Sequence, residues 1–161
     1  MIAAVELRRA LVQILETVPS IGTVDEARID PDEIPRRLRA ANGAYWAVGI
    51  TSRRDQLGSW GGLNGVSATL TEFGVTIEGW LGFAAASDYT ETWDTLVERV
   101  MDRLQGCQGE LGRRVPGFVR LDRLQATRIG VVEPRDRTSR GYRAHFVRLE
   151  MTADIYREVT H

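Results

Sequence analysis

The stretch SDYTETWDTLVERVMDRLQG constrains this chain more than any other part of it. Tyr89, Trp93, Leu96, Val97, Val100, Met101 and Leu104 recur at intervals of three and four, the period at which an α-helix presents one face. Such a helix is marginal alone in water and must bury its stripe against a second layer. Asp88 is placed to cap the first turn, Glu91 to reach back to it, and Gly106 to stop the helix. The opposite face carries Glu91, Asp94, Glu98 and Asp102. Like charges at this spacing weaken an isolated helix by roughly 0.2–0.5 kcal/mol per pair, so this face needs solvent, a channel or a counter-charge.

Alternating segments supply the second layer. Trp46, Val48 and Ile50 share one side of a strand over Tyr45–Thr51, and Phe73, Val75, Ile77, Leu81 and Phe83 share one side of a β region over Ala68–Phe83, with a turn expected near Glu72–Gly74. Gln125–Glu133 and Tyr142–Val159 read as two further strands. In the last of these, Val147, Leu149, Met151, Ala153 and Ile155 alternate with polar residues, which places it in an antiparallel sheet with one polar face. Leu7, Leu11, Ile14, Leu15 and Val18 make an amphipathic first helix, ended by Pro19 and Gly22. The glycines of Arg53–Gly65 and the Gly109–Gly117 stretch predict loops, and Val24–Ala41, with Pro31 and Pro35, predicts an extended connection. The fold class expected is α+β: a mainly antiparallel sheet packed against two amphipathic helices, in a single domain over residues 1–161.

Chemistry is poorly supplied. Cys107 is the only cysteine, and His145 and His161 are the only histidines, so neither an internal disulfide nor a thiolate zinc site can form and no metal or cofactor is expected. No motif joins Cys107 to His145 as nucleophile and base. Glu72 and Glu78 read as a solvated strand face, and Gly58–Gly65 lacks both the Lys-Ser/Thr end of a P-loop and the GxGxxG spacing. No apolar run reaches the roughly 20 residues of a membrane helix, and the first residues lack the order of a secretory signal. The expectation is a soluble protein that is not an enzyme.

What remains is charge and surface. All 21 basic residues are arginine. Up to Leu104 there are 10 arginines against 15 carboxylates, a charge of −5; from Gln105 onward there are 11 against 7, a charge of +4. Such a chain can bind an anionic partner through its basic part, or meet a neighbouring copy of itself. Arg53, Arg54 and Trp60 in one expected loop, and Arg135, Arg137 and Arg140 in another, are the candidate contact residues, since interfaces favour arginine and aromatic side chains. The acidic face of Glu91, Asp94, Glu98 and Asp102 is the other candidate, lining a lumen or meeting a neighbour.

VTIEGWLGF leading into SDYTETWDTLVERVMDRLQG, with the closing strand YRAHFVRLEMTADIYREV, resembles the tail terminator (tail completion or minor tail) proteins of long-tailed bacteriophages, prophages and gene transfer agents. The likeness lies in the order of elements, and the Val24–Ala41 connection departs from it. The resemblance implies a tail-terminator-like fold and a structural protein of the virion, assembled in the bacterial cytoplasm. It further implies a hexameric homo-oligomeric ring that caps the tail tube and joins it to the head-completion or neck protein, DNA passing only transiently through the channel. The rival expectation is a nucleic-acid-contacting module of the head–tail connector that uses the arginine-rich loops.

Overall fold

A computed structural model describes residues 2–26, 43–60, 66–83, 89–132 and 143–160. The elements run α1 (Ile2–Glu16), β1 (Thr23–Asp25), β2 (Tyr45–Trp60), β3 (Val66–Phe83), α2 (Thr90–Gln105), α3 (Gln108–Arg114), β4 (Phe118–Val132) and β5 (Arg143–Thr160). The strands form one five-stranded sheet in the order β1-β2-β3-β5-β4. Only the β1–β2 pairing is parallel; β2–β3, β3–β5 and β4–β5 are antiparallel. The α+β class read from the two periodicities holds.

The helices cover one face of this sheet. Leu7, Leu11, Ile14 and Leu15 of α1 and Trp93, Leu96, Val100 and Leu104 of α2 are buried with Trp46, Val48, Phe73, Val75, Ile77, Val147, Leu149, Met151 and Ala153 in one core. Each large apolar side chain removed from water in this way contributes roughly 1.5–3 kcal/mol. The Trp46 and Trp93 rings stack at 5.5 Å between centroids, tying α2 to β2. The stripe predicted for α1 is buried, and of the stripe predicted for α2 Trp93, Leu96, Val100 and Leu104 are buried, Val97 and Met101 half-buried, and Tyr89, which precedes the helix, exposed. α1 ends at Glu16, after which Ser20 and Gly22 take positive φ angles of 64° and 84°.

Four local expectations are corrected. β3 has no turn at Glu72–Gly74: all its residues from Val66 to Phe83 pair in one unbroken register with β5, Gly74 lying opposite Thr152. Arg53–Trp60 is not loop; it continues β2, pairing Arg53 with Phe73, Arg54 with Glu72 and Trp60 with Ala68, with register shifts on either side of Ser52–Gln56. The ladder offered by β3 outweighs the weak strand preference of this polar stretch. Residues 61–65 lie outside the described residues. The Gly109–Gly112 stretch, expected as loop, is the helix α3, because Leu111 is fully buried and Gln108 is clamped to β4 by paired bonds. Its Nε2 donates to the Leu121 carbonyl at 2.7 Å and its Oε1 accepts from the Leu121 amide at 2.8 Å. Finally, β1 adds a short parallel strand at the start of the expected connection, pairing Thr23–Asp25 with Tyr45–Ala47. The cap expected from Asp88 lies outside the described residues. The observed N-cap position of α2 is Tyr89, in the left-handed region with no side-chain cap.

Candidate interface surfaces

Because α2 turns Trp93, Leu96, Val100 and Leu104 inward, geometry forces Glu91, Asp94, Glu98 and Asp102 outward, and all four are exposed. None of them has an ion-pair partner among the described residues, where the pairs are Arg9–Glu26, Arg53–Asp55, Arg103–Glu110, Arg120–Asp154 and Arg148–Glu78. The acidic face expected from spacing is therefore a continuous exposed strip along one helix, without an ion-pair partner among the described residues.

Arg53 and Arg54 are not brought together on one face. Arg53 and Arg54 stand on β2 and point to opposite faces of the sheet. The Arg53 Nε donates to the Asp55 carboxylate at 3.0 Å, and Thr71 donates to the same oxygen at 2.8 Å. These bonds hold Asp55 below its ordinary carboxylate range, the Arg53 bond contributing most. Arg54 is exposed at the start of a cross-strand row in which Glu72, Asp154 and Arg120 follow on β3, β5 and β4. Arg120 closes that row by donating to Asp154 at 2.8 Å, which favours its charged form further. Trp60 ends β2, and Arg135, Arg137 and Arg140 lie outside the described residues.

The sheet face turned away from the helices has two parts. At one end Tyr45, Trp80 and Phe146 form a buried aromatic row, with ring centroids at 6.0 and 5.5 Å, and the Arg128 and Arg148 guanidiniums lie 5.2 and 5.8 Å from the Phe146 ring centre. The Tyr45 hydroxyl donates to Asp25 on β1. β2 is thus covered on both faces here, not on one as its alternation suggests. Further along lies an open groove of about 340 Å³, lined by Thr51, Ser52, Thr76, Gln125, Glu150 and Thr152, with Arg123 at its rim. Hydroxyls and one amide dominate this lining. It places one carboxylate and one guanidinium over a flat floor, an arrangement suited to contact with another surface more than to proton transfer.

Cys107 is fully buried and its Sγ donates to the Leu104 carbonyl at 3.1 Å. Burial pushes its thiol above the ordinary range, which suppresses the thiolate. His145 is buried against the rings of Phe83 at 4.5 Å and Trp93 at 6.3 Å, inside the core layer. Among the described residues no group of three or more His, Cys, Asp or Glu could hold a metal ion, and no helix is long and apolar enough to cross a membrane.

Sequence reasoning missed one surface. β4 is an edge strand, hydrogen-bonded on one side to β5 only. Its Val119, Ile129 and Val131 are 54%, 64% and 51% exposed, three of the six large apolar side chains that are exposed among the described residues. Gln125–Glu133 reads as a strand; its position at the sheet edge is not written in its local sequence.

No protein-family model matches the chain, and no curated protein does. Its fold is similar to that of the PVC sheath/tube terminator of an extracellular contractile injection system in the extended state, with a TM-score of 0.51 at 11% identity over 98% of this chain. This chain spans 57% of that terminator's length. A chain of the native gene transfer agent virion is also similar, at a TM-score of 0.38 and 17% identity, over 95% of this chain and 92% of that one. The tail-terminator likeness read from the order of elements thus holds at the level of the fold: this α+β sheet with its helices on one face is similar to the fold of a sheath/tube terminator.

Proposed function

We propose that the chain is a structural subunit of a phage-like tail, a terminator that assembles as a ring, caps the tail tube and presents a surface to the head-completion or neck protein. The observation that carries this reading is the fold shared with a sheath/tube terminator over 98% of the chain. In this reading the protein acts in the virion, has no catalytic step, and meets DNA only as it passes through the channel. A ring requires heterologous contacts, one patch meeting a different patch on the next copy. The exposed acidic strip of α2 and the separate arginine-bearing surfaces supply unlike patches on one subunit. Six copies is the number proposed. The Arg53, Arg54 and Trp60 end of β2, together with the 134–141 segment, is proposed to face neighbours and partners in the assembly.

Native mass measurement and negative-stain electron microscopy, with and without purified tail tubes, test the proposal. The expected result is an annulus of six-fold symmetry that decorates tube ends and stops their growth. A protein that stays monomeric at all concentrations and never caps tubes overturns it. Tight duplex-DNA affinity that falls steeply with salt, in a protein that forms no ring, would favour a nucleic-acid-contacting module instead.

A further inference from the structure

β4, 15 residues long, ends the sheet on one side, with no further strand paired to it among the described residues. Natural edges of this length are normally shortened, covered or heavily charged, because unpaired N–H and C=O groups and apolar side chains invite association. Here Ile129 and Val131 are more than half exposed on the sheet face that carries the helices, Ile129 pairing with Val147, while Arg128, which pairs with Arg148, and Arg123, which lines the groove, are exposed on the opposite face with no ion-pair partner among the described residues. Arg123 sits in the left-handed region at φ 57°, inside the register shift between Asp122 and Gln125. A bulge of this kind breaks the ladder, bends the strand and re-aims its side chains. The edge is therefore apolar at one end and cationic along its length, and no strand among the described residues pairs with it.

Two surfaces of a second copy could cover it. The side of β2 beyond Ala47, which pairs with no strand among the described residues, offers a strand, but it carries Arg53 and Arg54 and would set like charges against Arg123 and Arg128. The exposed face of α2 carries Glu91, Asp94, Glu98 and Asp102 without an ion-pair partner among the described residues, flanked by Tyr89, which is 58% exposed, and by half-buried Val97 and Met101. Opposite charge and matching apolar flanks select the helix.

We infer that the β4 edge is the seat for a second copy of this chain, whose α2 lies along the edge and straddles it, its acidic face toward Arg123 and Arg128 on one sheet face and its flanking apolar side chains toward Ile129 and Val131 on the other. This rests on the ring reading and names the two patches that meet. The contact is head-to-tail: each subunit gives one α2 face and one β4 edge, so copies add in one direction and close when the rotation allows.

Charge exchange tests it. One variant carries Glu98→Arg and Asp102→Arg on α2, the other Arg123→Glu and Arg128→Glu on β4; both sets lie on exposed positions, and circular dichroism confirms folding before use. Each variant alone sets like charge against like charge and is expected to raise the apparent dissociation constant of assembly at least tenfold. Mixed in equal amounts, the two variants are complementary at both contacts and are expected to regain assemblies with an even number of subunits, alternating in type. Ile129→Ser, which changes no charge, is expected to weaken assembly of the otherwise unaltered chain. If wild type assembles and both charge variants assemble equally well, or if the mixture stays apart, the inference is overturned while the ring reading stands. If Thr127→Pro on the β4 edge abolishes assembly and the charge variants do not, the occupant is a strand and the inference is again overturned. Wild type that never assembles removes both.

Discussion

Gly79 lies beside Trp46 across the β2–β3 ladder, and a Cβ there would sit 2.5 Å from the indole ring. Trp46 cannot retreat, being fully buried and stacked on Trp93. Gly79→Val is therefore expected to cost about 1–3 kcal/mol through overpacking, read as a lower unfolding midpoint in denaturant with loss of near-ultraviolet tryptophan dichroism. Acid sensitivity is also argued residue by residue. Arg103 holds the Glu110 carboxyl below its ordinary 4.5, and Arg53 with Thr71 holds Asp55 below its ordinary 3.8. A carboxyl whose folded value is depressed adds stability at pH above its unfolded value and loses it as pH falls through the folded value. Melting temperature is expected to fall as pH drops below 4.5, and Glu110→Gln to flatten the upper part of that fall while lowering the plateau near neutrality. Both groups are solvent-exposed, so the effect is small beside core substitutions.

At the scale of elements, α2 is well anchored and poorly started. Leu104 is fully buried where α2 approaches α1, and Leu104→Ala is expected to cost about 2–5 kcal/mol in chemical denaturation. Its first residue is preceded by Tyr89 at φ 61°, a left-handed conformation that costs a non-glycine residue about 1–2 kcal/mol. Tyr89→Asn, which tolerates that region and caps helices, is expected to stabilise by about 1 kcal/mol, a rise of roughly 2–4 °C in melting temperature for a chain of this size. α1 and α2 were legible in the sequence because a 3.6-residue period is local: Leu7, Leu11 and Ile14, or Trp93, Leu96 and Val100, announce the buried face by spacing alone. α3 was not, since two glycines in seven residues argue against a helix and only Gln108 bonded to Leu121, with Leu111 in the core, makes it form.

For the whole molecule, the charge division along the chain becomes a division of surfaces, acidic along α2 and arginine-bearing along β4. An assembly held by these surfaces is expected to weaken with salt, because the screening length falls from about 10 Å at 0.1 M to about 3 Å at 1 M. Sedimentation or mass photometry across that range is expected to shift toward monomers; an assembly indifferent to 1 M salt would point to an apolar contact centred on Ile129 and Val131. Of the interface residues expected from sequence, the acidic four share one exposed face because helical spacing requires it. Arg53 and Arg54 were placed together by adjacency, yet in a strand adjacent residues point to opposite faces, so one pairs with Asp55 while the other opens the row toward Glu72.

The sequence alone determined that this chain builds one sheet with amphipathic helices on a single face, because burial of apolar side chains imposes a period that each segment carries within itself. Tertiary structure decided where strands begin and end: β2 runs on through a polar, glycine-bearing stretch and β3 passes straight through Glu72–Gly74 because their ladder partners lie far away in sequence. It also decided that β4 is an edge, with Ile129 and Val131 left in water. Hydrogen bonds between strands are made with distant neighbours, and no local pattern states which neighbour will be missing.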